Sequence, residues 1–244
     1  MTNNHSKILL TGGSGLLGSV LRRLDPTIVA PGLDALEMTD PASLRATIEH
    51  HAPAIILHAA AVTQIAAVRK APAEALRVNI AGTAELAALA AEHGIRLVYV
   101  SSDYVYADTP GPHREEEPLL PLNEYSWTKL GGECAVRLVP GSLIIRTSFG
   151  PPVYPYEVAA EDKLTSKLYV EEAARSILDL ARSGLVGIVN LGGEPTDMLE
   201  YARRTRPGTR AVRIADLPGP IPRDSVLDLT RLKKFLRDHQ SGRE

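Results

Sequence analysis

Lys7-Ile8-Leu9-Leu10-Thr11-Gly12-Gly13-Ser14-Gly15-Leu16-Leu17-Gly18 is the stretch on which the reading of this chain turns. The short run Lys7 to Thr11 predicts a strand, and Leu16 to Leu24 predicts a helix that Asp25-Pro26 stops. Three glycines, Gly12, Gly15 and Gly18, lie on the junction. Gly12 lets the chain turn sharply off the strand. Gly15 leaves no side chain where a phosphate must approach the backbone, and Gly18 lets the helix pack closely on the sheet. The helix start, with Leu16 and Leu17, offers unpaired N–H groups and a partial positive charge to pyrophosphate oxygens. In this strand-to-helix setting the turn predicts dinucleotide binding, but alone it identifies no reaction.

Outward from the turn, short apolar runs alternate with helical patterns. Thr27 to Ala30 reads as a short second strand, and Asp40 caps a helix that has Pro41 at its first position and runs to about His50. Ala54 to His58 is a strand, Ala73 to His93 a long Ala/Leu-rich helix, and Arg96 to Ser101 a strand. Tyr125 to Leu138 is a helix and Ser142 to Thr147 a further strand. The alternation predicts βαβ units in an α/β fold, a Rossmann-type doubly wound parallel sheet. Gly150 to Asp162, with three prolines, reads as a loop. Val170 to Arg182 resumes as helix, Ile188 to Leu191 as strand and Met198 to Thr205 as a short helix. Pro218 to Pro222 is a linker before a last amphipathic stretch, Leu229 to Leu236. Residues 1–150, with part of 170–192, are expected to form a dinucleotide-binding domain. Residues 151–244 are expected to form a small substrate-side region, not an independent domain.

The bulk numbers narrow the function. The 244 residues are 44% apolar and 23% charged, with a formal net charge of -2, and the pI is near 6.4. Nothing there draws the protein to nucleic acid or to an anionic membrane. Cys134 is the single cysteine, which excludes an internal disulfide and a thiolate metal cluster; it is expected to be packed. The first six residues are polar and lead straight into the first strand, without a signal-peptide core or a stretch of the ~18 apolar residues that a span requires. The expectation is a cytoplasmic protein without a membrane partner.

Tyr125-Ser126-Trp127-Thr128-Lys129 sets a phenol and an ammonium on one helix face. Tyrosine is a poor acid–base catalyst at its ordinary pKa of about 10. A nearby lysine favours the phenolate, and can also hydrogen-bond a nicotinamide ribose. This spacing occurs by chance on many helices; its weight here comes from its place after the fourth strand, in a chain that has the glycine turn. Ser101-Ser102-Asp103-Tyr104-Val105-Tyr106 follows that strand, at the sheet edge where open α/β proteins bind ligands. Ser102 is the candidate to hold a reacting oxygen, and Ser101 is expected to be structural. The second strand ends in Ala30-Pro31-Gly32-Leu33, with neither the acid that holds ribose hydroxyls nor an arginine for a 2′-phosphate. Arg22 and Arg23 could approach that place from the first helix, and NADP or NAD both stay open. His58, His93 and His113 are not at metal-ligand spacing, so no metal is expected, and Glu115-Glu116-Glu117 reads as a solvated loop.

Together these elements resemble the extended short-chain dehydrogenase/reductase family, and within it the dTDP-4-dehydrorhamnose reductase branch. The supporting segments are Leu36 to Pro41, His58 to Thr63, Val78-Asn79, Ser101 to Tyr106, Tyr125 to Lys129, Ile145 to Ser148 and, late in the chain, Pro222 to Asp228. The likeness is dense over 7–150 and sparse beyond. It implies that Glu37 and Met38 lie by the adenine, Ala59, Ala60 and Ala61 along the cofactor, and Thr63 near the nicotinamide. It also implies that Asn79 ties its helix to the strand ends, that Arg223 and Asp103 face the substrate, and that the segment Pro222 to Asp228 is a substrate-side strand. The implied activity is NAD(P)-dependent reduction of a keto group on a nucleotide-activated sugar by Tyr125, Lys129 and Ser102. A homodimer is a possible assembly. The alternatives are an epimerase or dehydratase that keeps its NAD, or a non-catalytic dinucleotide-binding regulatory subunit. Such relatives carry some tens of residues after the Arg-Thr-Ser strand, and here Ser148-Phe149-Gly150 passes into a short proline loop instead. The substrate wall is thereby expected to be trimmed.

Overall fold

The computed structural model describes residues 6–240; the polar N-terminal stretch, as far as residue 5, lies outside the described residues. The chain opens with β1 (Ile8–Thr11), α1 (Leu16–Leu24), α2 (Pro41–His51), β2 (Ile55–His58), α3 (Ile65–Lys70) and α4 (Pro72–Ala75). Helix α4 continues through a π-helical stretch, Leu76–Gly82, into α5 (Thr83–Glu92). Then come β3 (Arg96–Val100), α6 (Glu124–Val136), β4 (Leu143–Thr147), β5 (Phe149–Gly150), β6 (Val158–Ala160), β7 (Leu164–Thr165) and β8 (Leu168–Tyr169). The last elements are α7 (Val170–Arg182), β9 (Gly187–Leu191), β10 (Thr196–Asp197), α8 (Met198–Arg203), β11 (Arg210–Val212), β12 (Asp224–Ser225) and α9 (Thr230–Gln240).

Strands β1, β2, β3, β4 and β9 pair in that order, all parallel. Successive residues of a strand face opposite sides of the sheet, and the core sorts accordingly. Ile8, Leu10, Ile55, Leu57, Val98, Val100, Leu143 and Ile145 pack with α1 and α7 on one side. Leu9, Ile56, Leu97, Tyr99 and Ile144 pack with α2, α5 and α6 on the other. Cover on both faces is why these strands read as continuous apolar runs. At their carboxyl ends Thr11, His58 and Tyr99 stand side by side in register. The His58 ring is bonded to Thr11 Oγ1 (2.6 Å) and Thr83 Oγ1 (2.9 Å). Burial and the charge of Lys129 push it down to about 3, which makes it a neutral structural imidazole.

Residues 170–191 build into this sheet through α7, which lies against α1, and β9, which α9 covers. The remainder forms small sheets, β10-β7-β12, β11-β6 and β5-β8, beyond the carboxyl ends of β4 and β9. Among the described residues, no helix is long and apolar enough to cross a membrane.

Several sequence expectations change. The strand expected over Thr27 to Ala30 is a single bridge, Val29 to Leu9, made by Leu10 N to Val29 O (2.8 Å) and Val29 N to Ile8 O (2.9 Å). Pro26 and Pro31 bracket it and supply no N–H to extend the pairing. The loop expected over Gly150 to Asp162 contains β6, which pairs with β11, because its prolines end at Pro155 and leave Val158–Ala160 able to bond. The last amphipathic stretch runs on to Gln240 as α9. Cys134 is exposed on α6 instead of packed. Glu115 is not solvated either: it is buried under β9, accepting from Asn190 N (2.9 Å), while Glu117 is bonded to His113 (2.9 Å).

Candidate active site

Gly12 adopts φ +75°, a left-handed conformation that suits glycine. A Cβ on it would stand 2.7 Å from Ala60 N, and one on Gly18 would stand 2.1 Å from Gly12 O. Both positions are therefore closed by packing. Gly15 differs: a Cβ there would meet only Gly12 O, at 3.3 Å. Its missing side chain keeps a face open over the start of α1, which no side chain caps. An open, uncapped helix start of this kind fits a pyrophosphate.

Ser102 stands where β3 ends. Its Oγ accepts from Tyr104 N (3.2 Å), is within 3.3 Å of Asp103 Oδ1, and lies near enough to the Tyr125 hydroxyl to act on its pKa. Tyr125 and Lys129 are one turn apart on α6, whose start is locked by a reciprocal cap: Ser126 N donates to Asn123 Oδ1 (2.9 Å) and Asn123 N to Ser126 Oγ (3.3 Å). Burial, joined by the charge of Asp103, pushes the Tyr125 phenol above the ordinary tyrosine value, against the influence of Ser102. Lys129 is almost fully buried, with Nζ 4.0 Å from the centre of the Tyr99 ring. Burial pushes it down to about 7 against the attraction of Glu133. The expected lowering of the Tyr125 pKa by Lys129 is thus replaced. Burial and the Asp103 charge act on the phenol and raise it, while Lys129 Nζ lies over the aromatic face of Tyr99.

Asp103 is buried beside two lysines that the sequence reading missed. Lys163 Nζ donates to Pro222 O (2.8 Å) and Ser225 Oγ (3.2 Å), and Lys167 Nζ donates to Ser148 Oγ (3.3 Å). Burial pushes Asp103 up, Lys163 down to about 8 and Lys167 down, while attraction within the trio works the other way. In sequence these lysines look like solvated ones. Only the folding of the β7–β8 segment brings them to Asp103.

Two networks hold α6 in place. Asn79, at the centre of the π stretch, accepts from Val62 N (2.8 Å) and donates to Val62 O (2.9 Å) and Thr128 Oγ1 (2.8 Å). It thereby joins its helix both to the segment after β2 and to α6 between Tyr125 and Lys129. A π turn at a functional site is a recurrent association. On the far side Arg146 of β4 forks onto Glu133 of α6, with Nη2 to Oε2 at 2.8 Å and Nε to Oε1 at 3.0 Å, and neither side chain is exposed. Ser101 Oγ donates to the same carboxylate (2.6 Å), which is the structural role expected of Ser101.

Ala59 and Ala60 skirt the glycine turn, Ala60 N donating to Thr11 Oγ1 (3.2 Å), and half-buried Ala61 follows. Glu37 lines a hollow of about 540 Å³ with Leu33, Asp34, Thr39, Asp40 and Ser43. Met38 turns its side chain into the core. Thr63 and Arg223 are exposed. The backbone N–H of Arg223 donates to Asp108 (2.6 Å), and the segment around it forms only the two-residue strand β12 beside β7.

A glycine turn on β1, a switch in strand order beside it, and Ser102, Tyr125 and Lys129 gathered at the sheet's carboxyl edge define an α/β protein of the extended short-chain dehydrogenase/reductase type. Residues 6–158 match the family described as RmlD substrate binding domain, and the chain belongs to that family. It is 31% identical over 264 aligned positions to a dTDP-4-dehydrorhamnose reductase of Streptomyces griseus, across 92% of this chain and 86% of that one. It is 38% identical over 148 positions to a dTDP-4-keto-6-deoxy-D-glucose reductase of Streptomyces niveus, across 58% of this chain but only 51% of that protein. The dTDP-4-dehydrorhamnose reductase of Bacillus anthracis, solved in complex with NADP, superposes with a TM-score of 0.86 at 23% identity, covering 94% of this chain and 92% of that one, a likeness of fold. The first alignment is longer than the 244 residues of this chain, so it opens gaps here, as a missing segment requires.

Proposed function

We propose that the protein is an NAD(P)-dependent reductase of a keto group on a nucleotide-activated sugar, of the dTDP-hexose type. The observation that carries this reading is the Tyr125 hydroxyl placed beside Ser102 and Asp103 at the end of β3, one helical turn from Lys129. A bound NADPH or NADH supplies the hydride. Ser102 and Tyr125 address the same carbonyl oxygen, Ser102 by hydrogen bonding and Tyr125 by giving up its proton as charge develops there. A phenol held above its ordinary pKa keeps that proton until the oxygen demands it. Lys129, one turn along the same helix, offers its amine N–H donors to the cofactor ribose. Asp103, Lys163, Lys167 and Arg223 are candidates for the sugar and its phosphates.

On this reading residues 1–150, with part of 170–192, carry the dinucleotide, and 151–244 close the substrate side in trimmed form. The protein would act in the cytoplasm, as a monomer or homodimer; fractionation and sedimentation velocity test these points. Tyr125→Phe tests the chemistry. The variant should bind NADPH or NADH as the wild type does and lose about 10²–10⁴-fold in turnover on a panel of keto-sugar nucleotides. Unchanged turnover would refute the assignment. Oxidation of one NAD(P)H per sugar converted separates reduction from epimerisation, which shows no net consumption.

A further inference from the structure

The dinucleotide reading leaves open whether the adenosine ribose carries a 2′-phosphate, and the two arginines at the end of α1 bear on it differently. In folds of this kind that ribose lies beyond the end of the second strand, beside the glycine turn, where an acid selects the free hydroxyls and an arginine the phosphate. The corresponding strand is here the Val29 bridge, and the residues after it are Ala30, Pro31 and Gly32. A Cβ placed on Gly13 would lie 2.9 Å from Ala30 Cβ and 3.5 Å from Arg22 Cδ. The Arg22 side chain therefore reaches back, as far as its Cδ, to the gap between the glycine turn and the end of the bridge.

Arg23 is committed elsewhere, paired with Glu171 of α7. Arg22 is exposed, and among the described residues its guanidinium makes no hydrogen bond or ion pair. Of the acids after the bridge, Glu37 accepts from Thr39 Oγ1 (2.6 Å) and Asp40 caps α2 through Ala42 N (2.9 Å). Asp34 is the rival for plain ribose hydroxyls. It lines the neighbouring hollow with Leu33 and Glu37, past Gly32, and is not among the nearest atoms at Gly13.

We infer that Arg22 is the specificity-determining residue for the cofactor, pairing with the 2′-phosphate so that NADPH is preferred over NADH. The inference rests on the dinucleotide-binding reading, and its test separates the two. Fluorescence titration or calorimetry, without sugar substrate, gives Kd for NADPH, NADH, adenosine 2′,5′-bisphosphate and 5′-AMP with the wild type, Arg22→Ala and Arg23→Ala. The wild type should bind the 2′-phosphorylated member of each pair more tightly. Arg22→Ala should weaken those two ligands by about tenfold, the scale of one charge-assisted contact at an exposed site. NADH and 5′-AMP should stay within about twofold, and Arg23→Ala should leave all four constants unchanged. Added salt should narrow the wild-type preference, because the contact is a solvent-facing ion pair.

Equal affinity for the paired ligands, or equal losses with Arg22→Ala on both members of a pair, would overturn the role of Arg22 while leaving dinucleotide binding in place. Failure of all four ligands to bind the wild type would overturn both readings.

Discussion

Arg146→Met probes the buried charges that fix α6. Arg146 Nε and Nη2 hold Glu133 at 3.0 and 2.8 Å, and Nη1 holds Tyr106 Oη at 2.9 Å and Glu115 O at 3.1 Å. Methionine keeps much of the bulk but leaves Glu133 fully buried with the Ser101 hydroxyl as its donor. Removing one partner of a buried pair costs about 3–5 kcal/mol. With a urea slope of about 2–3 kcal/mol per molar, the unfolding midpoint should fall by about 1–2 M. Adding Glu133→Leu removes the stranded charge and should recover much of the loss, since the attraction within such a pair is largely offset by the desolvation of its members. Recovery stays incomplete by about 2 kcal/mol, because Ser101 and the Glu115 carbonyl lose their partners; Tyr106 keeps its bond to Asn190 Oδ1 (2.8 Å). The assay is equilibrium urea denaturation followed by circular dichroism for the wild type, both single variants and the double. An Arg146→Met midpoint indistinguishable from wild type, or a double variant as unstable as the two singles summed, would refute the reasoning.

The glycines of the turn should separate by function. Gly18→Ala forces a Cβ to 2.1 Å from Gly12 O and should cost about 1–3 kcal/mol, the scale of overpacking, visible as a lower Tm. Gly15→Ala puts a Cβ 3.3 Å from Gly12 O, a far milder crowding, and should lower Tm less than Gly18→Ala while weakening NADPH binding in titration. Lys129 gives a pH signature. Burial holds its pKa at about 7 in the folded chain against the ordinary lysine value of 10.5, so between those values the unfolded chain binds the extra proton. Stability attributable to Lys129 is then fully present above about 10.5 and is lost as pH falls through the folded value near 7, with a slope of about 1.4 kcal/mol per pH unit. Lys129→Met should therefore gain on the wild type as pH drops from 10 to 7, in urea midpoints measured across that range. A constant difference would show that the lysine is not held neutral.

The main sheet was legible because each strand buries both faces and so leaves an unbroken apolar run in the sequence, and because the glycine turn marks where the first strand ends. Ser102, Tyr125 and Lys129 were legible through their position relative to those strands. The Val29 bridge was not, since local β-propensity carries no information about how many residues find a partner between Pro26 and Pro31. The π stretch at Asn79 also escaped, because its residues keep helical periodicity and its cause lies in Val62 and Thr128, distant in sequence. The same holds for Lys163 and Lys167. Their chemistry is set by burial against Asp103, some sixty residues earlier in the chain, and nothing in a local window distinguishes a buried lysine from a solvated one.

Asn190 ties its side-chain amide to His113 O (2.9 Å) and Asp228 O (3.3 Å), while its carbonyl oxygen receives Tyr106 Oη (2.8 Å) and its backbone N–H goes to Glu115 (2.9 Å). One residue of an edge strand thus splices two stretches of chain, 106–115 and Asp228, that lie more than a hundred positions apart, and Tyr106 passes the connection on to Arg146. The seam is polar and buried, so it has no dry plane along which the two halves could be parted and recombined with other partners. The pair β6 and β11 and the proline segment lie outside this seam, so a change in their length leaves its bonds untouched.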